Sequence, residues 1–290
     1  MVSPPIADIT GIRAKLRRAE EHRSTLETEL SSWSKKHTDR CDFHIRHDGC
    51  WYIVVADPLP QPDIRFSVVA GDIVYNLRSA LDHLIYQLVL RDGHEPSWRN
   101  EFPIYDSEVS FLNEVKFRKR KPELSVLYGI AVDGDSWAII EAAQPYNCIS
   151  VERSPIRIIK RLSNMDKHRT LQIYVPIVEQ ISEAIAWNPN ALLLEECPRN
   201  LQGLPLSLEE PTEIVRYRFS EYPDPNVHVK GRLPIHPTFG EGDNKGGIGC
   251  QVNIWYFRGL IEAVTQIVDE IGRLLRVIDT SGHQNPQNCR

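Results

Sequence analysis

The chain has 290 residues, 41% apolar and 25% charged, which is enough apolar material for a substantial buried core. Its formal charge of −5 excludes a global electrostatic pull toward nucleic acid, so any such contact has to come from a local patch. The first residues, MVSPPIADITGIR, carry no basic segment followed by an apolar one, and no apolar run approaches the roughly 18 residues needed to cross a bilayer; a secretory signal and a membrane span are both excluded on this reading.

In chain order, the first long helix is predicted over 6–39, where Ile9, Ile12, Leu16, Ala19, Leu26, Leu30 and Trp33 recur at three- and four-residue steps broken only by Arg23. "DFHIRHDGCWYIVVADP" reads as two short strands around the turn Asp48-Gly49, and Pro58, Pro60 and Pro62 form a stiff connector. A second long helix runs from about Ile64 to Leu90 on the stripe Ile73, Leu77, Ala80, Leu81, Leu84 and Leu88, with Gly93 and Pro96 as stop signals. "EFPIYDS" is a short extended piece before a modest helix over about 107–118. Asp135 is the expected N-cap of a helix that ends at Pro145, and Ser154 with Pro155 opens another.

From Leu171 to about Ile235 the pattern turns strand-like in "LQIYVPIV", "ALLLEE", "EIVRYRFS" and "NVHVKGRLPI". "FGEGDNKGGIG" reads as a flexible loop, residues 252–278 as the most strongly apolar helix, and 281–290 as a flexible tail. The predicted fold is therefore α+β: one domain in which a bundle of long helices, from residues 1–169 and 250–280, is interrupted by a β-rich insertion over 170–240. Six cysteines without any C-x-x-C pair read as reduced thiols, and the expected location is the cytoplasm.

The stretch "VYNLRSALDHLIYQL", residues 74–88, concentrates polar groups on a leucine-striped helix. Asp72, Asn76, Ser79 and His83 fall along one line opposite the leucines, with Arg78 and Asp82 four apart beside it. One reading is a solvated face carrying an Arg78–Asp82 pair, which contributes about 0.2–0.5 kcal/mol. A sharper reading starts from the spacing Arg78-x4-His83, with the polar Ser79 following the arginine deep within a long helix. Arg17–His22, Arg40–His47 and Arg161–His168 fit the same spacing range without that context.

The Arg78-x4-His83 pattern resembles the R-x(4–6)-H motif of the HEPN superfamily, helical-bundle proteins many of which are metal-independent ribonucleases. The resemblance implies an endoribonuclease with a toxin or defence role, no cofactor and no metal, and a homodimer that brings two motifs to one cleft. In it His83 moves a proton near neutral pH and Arg78 stabilises charge on the phosphate, with Asn76, Asp82, Asp166 and His168 in support. The set "GDIVYNLRSALDHL", "FPI", "QPY" and "DKHR" also resembles a group of uncharacterised bacterial and phage proteins, a kinship that brings no activity with it.

Two further features bear on function. "KFRKRK" places Lys116, Arg118, Lys119, Arg120 and Lys121 around Phe117, a candidate RNA contact or else a solvated helix end. Lys167, His168 and Arg169 close a helix whose dipole favours cations there. Two alternatives to the ribonuclease stand beside it: a non-catalytic binding or assembly module, and a metal-dependent hydrolase using Asp82 or His83 with Asp166 and His168. Neither a phosphate-binding loop nor a nucleophile elbow occurs.

Overall fold

The computed structural model describes residues 8–38, 43–49, 51–131, 134–174, 182–186, 193–198, 210–220, 228–232, 237–242 and 248–281. These form an α+β fold with a bundle of long helices and a β-rich segment inserted before the last of them. The helices are α1 (Thr10–Thr38), α2 (Ile64–Arg91), α3 (Glu108–Arg120), α4 (Asp135–Ala142), α5 (Pro155–His168) and α6 (Ile254–Ser281). The strands are β1 (Phe43–Asp48), β2 (Trp51–Ala56), β3 (Gln172–Tyr174), β4 (Ser182–Ala186), β5 (Leu193–Pro198), β6 (Thr212–Phe219), β7 (His228–Arg232), β8 (Thr238–Gly242) and β9 (Ile248–Asn253). The chain divides into two compact units: Met1–Ser24, Val68–Leu171 and Trp255–Arg290 supply one, Thr25–Ser67 and Gln172–Ile254 the other.

In the first unit the predicted apolar stripes are buried. Ile12, Leu16 and Ala19 of α1, Ile73, Leu77, Leu81, Leu84 and Leu88 of α2, and Phe257, Leu260, Val264, Val268 and Ile271 of α6 all lie in the core. Each fully buried aliphatic or aromatic side chain contributes about 1.5–3 kcal/mol, which is what selects these faces. The cation that breaks the seam of α1, Arg23, is itself buried, and its guanidinium donates to both carboxylate oxygens of Glu20 at 2.9 and 2.7 Å. Between α1 and α6, Arg13 Nη2 donates to Asp269 Oδ1 at 2.7 Å.

Glycine has two positional roles here. A Cβ at Gly71 of α2 would collide with the Asp166 carboxylate of α5, so the missing side chain lets the two helices approach. Gly129 has φ +76°, and a Cβ there would lie 2.8 Å from Val89 Cγ1 and 3.0 Å from His94 Cβ. It lets the loop after α3 pass against the end of α2.

The second unit contains the sheets. Strands β1-β2-β6-β5 form a four-stranded antiparallel sheet, so the early hairpin, turning at Gly49 with φ 61°, joins the later strands through β2–β6 pairing such as Val54↔Val215. The strands β3-β8-β9 form a second sheet and β4-β7 a pair.

Two local expectations are corrected. Residues 239–242 and 248–249 of the expected flexible loop belong to β8 and β9, where Phe239 and Val252 are buried and the ladder β3-β8-β9 overrides the poor strand propensity of glycine. Gly134, not Asp135, is the N-cap of α4; Asp135 is its first residue, where its charge complements the helix dipole. The expected tail lies outside the described residues except for Ser281, which ends α6.

Gly129→Ala is expected to cost about 1–3 kcal/mol, because it adds both a left-handed alanine and a crowded methyl group. Urea denaturation of the two proteins reads this as a lower midpoint at unchanged slope.

Candidate functional site

The segment Glu101–Tyr105, the strap, lies between α2 and α3 and belongs to no helix or strand. Phe102, Pro103 and Ile104 are buried, so the backbone polar groups beside them need partners other than water. Side chains supply them. The Phe102 N–H donates to Asp82 Oδ1 at 2.9 Å and the Tyr105 N–H to Gln144 Oε1 at 3.0 Å. The Pro103 carbonyl accepts from Gln144 Nε2 at 2.8 Å, and the Ile104 carbonyl from Lys160 Nζ at 2.7 Å. Gln144, fully buried, also donates to the Ile140 carbonyl at 2.9 Å. Arg157 Nε donates to Asp106 Oδ2 at 3.0 Å, holding the exit of the strap to α5.

Arg78 completes the arrangement. Its side chain is 10% exposed; Nε donates to Asp82 Oδ2 at 3.2 Å, and Nη2 lies 3.0 Å from Asp82 Oδ1 and 2.8 Å from Glu101 Oε2. The i,i+4 pair read from the sequence is present, but it faces the strap rather than bulk water. Burial pushes the Asp82 carboxyl up, against the opposing pull of the Arg78 guanidinium and the Phe102 amide.

Beside Arg78 a cleft of about 180 Å³ opens, lined by Glu101, Tyr105, Lys160, Asn164 and Lys167 among others. Lys160 Nζ stands 5.8 Å from the centre of the Tyr105 ring, and burial pushes that phenol up, so it stays protonated.

His83 does not line this cleft. Five residues beyond Arg78, it is rotated by about 140° around the helix and lies on the exposed face. Its imidazole is held below the ordinary histidine value, first by burial and then by the Lys15 ammonium of α1, with Asp82 pulling the other way. Lys15 Nζ also sits 5.5 Å over the Tyr75 ring. Asn76 Nδ2 donates back to the Asp72 carbonyl at 2.8 Å, a helix-internal bond.

Asp166 is half-buried against Gly71, and burial followed by the charge of Asp72 pushes its carboxyl up. His168 is exposed at the end of α5. Of the cations around Phe117, Arg118 is half-buried and donates to the Ile130 carbonyl, with burial lowering its pKa; Lys116, Lys119, Arg120 and Lys121 are exposed. Among the described residues, no group of three or more His, Cys, Asp or Glu side chains is placed to hold a metal ion.

The structure thus brings Arg78 and Asp82 together and leaves His83, Asn76, Asp166 and His168 elsewhere on α2 and α5. Sequence reading missed Gln144, Lys160, Glu101 and Lys15. "FPI" and "QPY" were visible as motif-like segments, yet nothing local shows that the glutamine of one is bonded to the backbone of the other. Comparisons with family models, with curated proteins and with solved structures found no match. No helix of the described residues is long and apolar enough to cross a membrane.

A lowered imidazole pKa means that the stability linked to His83 is present above its unfolded value of about 6.5 and is lost as pH falls through the lower folded value. Lys15→Glu is expected to raise the His83 midpoint. NMR titration of the His83 ring protons in the two proteins measures it, and an unchanged midpoint removes Lys15 as a cause.

Proposed function

We propose that the protein is a cytoplasmic, non-catalytic helical binding module, in which the Arg78-x4-His83 pattern marks a structural strut rather than a reaction centre. The observation that carries this reading is the engagement of Arg78 by both Asp82 and Glu101 while His83 stands on another face of α2. A guanidinium that stabilises charge on a reacting phosphate has to present its donors to the substrate, and here Nε and Nη2 are turned to two carboxylates. Arg78, Asp82 and Gln144 instead secure the strap, and so keep the surface around it in one conformation.

The second reading is the HEPN-like, metal-independent endoribonuclease. What favours it is the exposure of His83 and its shift toward the neutral imidazole that accepts a proton near pH 7. In that reading a second copy of the chain has to complete the site, because one copy turns Arg78 and His83 apart.

Incubation of labelled total RNA in EDTA with wild type and with His83→Ala separates the two. The module reading expects intact RNA with both proteins; cleavage by wild type that disappears in the variant decides for the ribonuclease. A stability arm runs alongside. Arg78→Met is expected to cost about 2–3 kcal/mol, the scale of charged hydrogen bonds lost from a buried group. His83→Ala, on an exposed face, is expected to stay within about 0.5 kcal/mol of wild type.

A further inference from the structure

The cleft beside Arg78 has a side that holding the strap does not use up. Lys160, Ser163, Asn164 and Lys167 of α5 all line it, at i, i+3, i+4 and i+7, which is one face of a helix. The strap, Arg78 and Val126 supply the rest, and all of these residues belong to the first unit.

The α5 side is rich in uncommitted hydrogen-bond donors. Lys160 is half-buried, and its Nζ gives one of three N–H groups to the Ile104 carbonyl at 2.7 Å, which leaves the charge uncancelled. Lys167 is exposed. Neither lysine has an ion-pair partner among the described residues. Ser163 is only 5% exposed, yet its hydroxyl makes no hydrogen bond among the described residues and opens to the cleft it lines. A side chain this buried ordinarily finds a partner for its polar atom. The Asn164 amide is exposed and makes no hydrogen bond among the described residues either.

Acceptors are scarce by comparison. Glu101 is the one carboxylate that lines the cleft, and Arg78 Nη2 holds it at 2.8 Å. Arg78 also carries Asp82, so three cations (Arg78, Lys160, Lys167) stand against two carboxylates, a net charge of +1. The two ammonium groups are the part left over.

We infer that this cleft binds a phosphate group, free or at the end of a phosphomonoester, with Lys160 and Lys167 as its counter-charges and the Ser163 hydroxyl and Asn164 amide as neutral donors. A planar carboxylate is best met by a guanidinium fork, and the one in the cleft already holds Asp82 and Glu101. Ammonium groups act as point charges and suit a tetrahedral anion whose oxygens accept from several directions. The volume of about 180 Å³ is below the roughly 300–1,000 Å³ of pockets that enclose drug-sized ligands, so the phosphate fits and the remainder of an ester stays outside. Asp82 and Gln144 hold the strap in place, so its side of the cleft is formed before the ligand arrives. This names the ligand of the binding module and rests on that reading.

The test titrates the full chain with inorganic phosphate at constant ionic strength and follows the backbone amide NMR signals of Ser163, Asn164 and Lys167. Saturable shifts with one common dissociation constant are expected. Lys167→Gln and Lys160→Gln are each expected to weaken binding about tenfold, the scale of a charge-assisted hydrogen bond; glutamine at 160 keeps an N–H for the Ile104 carbonyl. Ser163→Ala is expected to weaken binding severalfold at an unchanged thermal midpoint, since its hydroxyl has no protein partner to lose. Lys119→Gln, on α3 and outside the cleft, is expected to bind as wild type does. Absence of saturable shifts, wild-type affinity in both lysine variants, or acetate binding as tightly as phosphate each overturns the inference. Phenyl phosphate separates the two sources: tighter binding than inorganic phosphate assigns the site to a phosphate on a larger molecule, weaker binding to the free anion, and both uphold it. Release of phenol by wild type would end the non-catalytic reading and leave the site standing, whereas loss of saturable binding ends the site and leaves that reading standing.

Discussion

A buried segment that belongs to no helix or strand sets the central constraint in the first unit. Phe102, Pro103 and Ile104 are buried, and the backbone groups between them are removed from water together with those side chains. Proline removes one donor at Pro103; the remaining groups described above are met by Asp82, Gln144 and Lys160, from three different helical regions of the chain. Leaving such a group without a partner costs about 1–3 kcal/mol. Of the polar side chains that look most like chemistry in the sequence, Arg78 and Asp82 are occupied with this task, and His83, Asn76, Asp166 and His168 are not.

Arg78 follows from the same constraint. Asp82 needs a compensating cation once it is turned inward to the Phe102 amide, and Arg78, one helical turn earlier, is in reach. Glu101 at the mouth of the strap closes the group from the other side. The Arg78 guanidinium, buried between the two carboxylates, offsets their charge, and removing it would leave the half-buried Asp82 uncompensated.

The long helices were readable because a 3.6-residue apolar period over many turns has one economical burial, and α1, α2 and α6 follow it to within a few residues at their ends. The β8–β9 ladder was not readable, since Gly240, Gly242 and Gly249 carry no side-chain pattern and the pairing partner β3 lies far away in sequence. The i,i+4 pair of Arg78 and Asp82 could be read from spacing alone. Its third member, Glu101, is separated from Arg78 by 23 positions, and Gln144 reaches its strap partners across 39 and 41. Neither contact leaves a local signature. The spacing of Arg78 and His83 was equally plain in the sequence, but spacing on a helix reports only an angle; which side of the angle faces the core depends on the rest of the fold.

Native-state hydrogen exchange at the Phe102 and Tyr105 amides tests most directly whether the strap is held as described. Neither amide belongs to a helix or a strand, and their hydrogen bonds go to Asp82 and Gln144. Exchange as slow as that of the α2 core amides, with Tyr105 protection lost in Gln144→Leu and retained in His83→Ala, is the predicted result. Exchange of both amides at the rate of an unstructured peptide in the wild-type protein would contradict it.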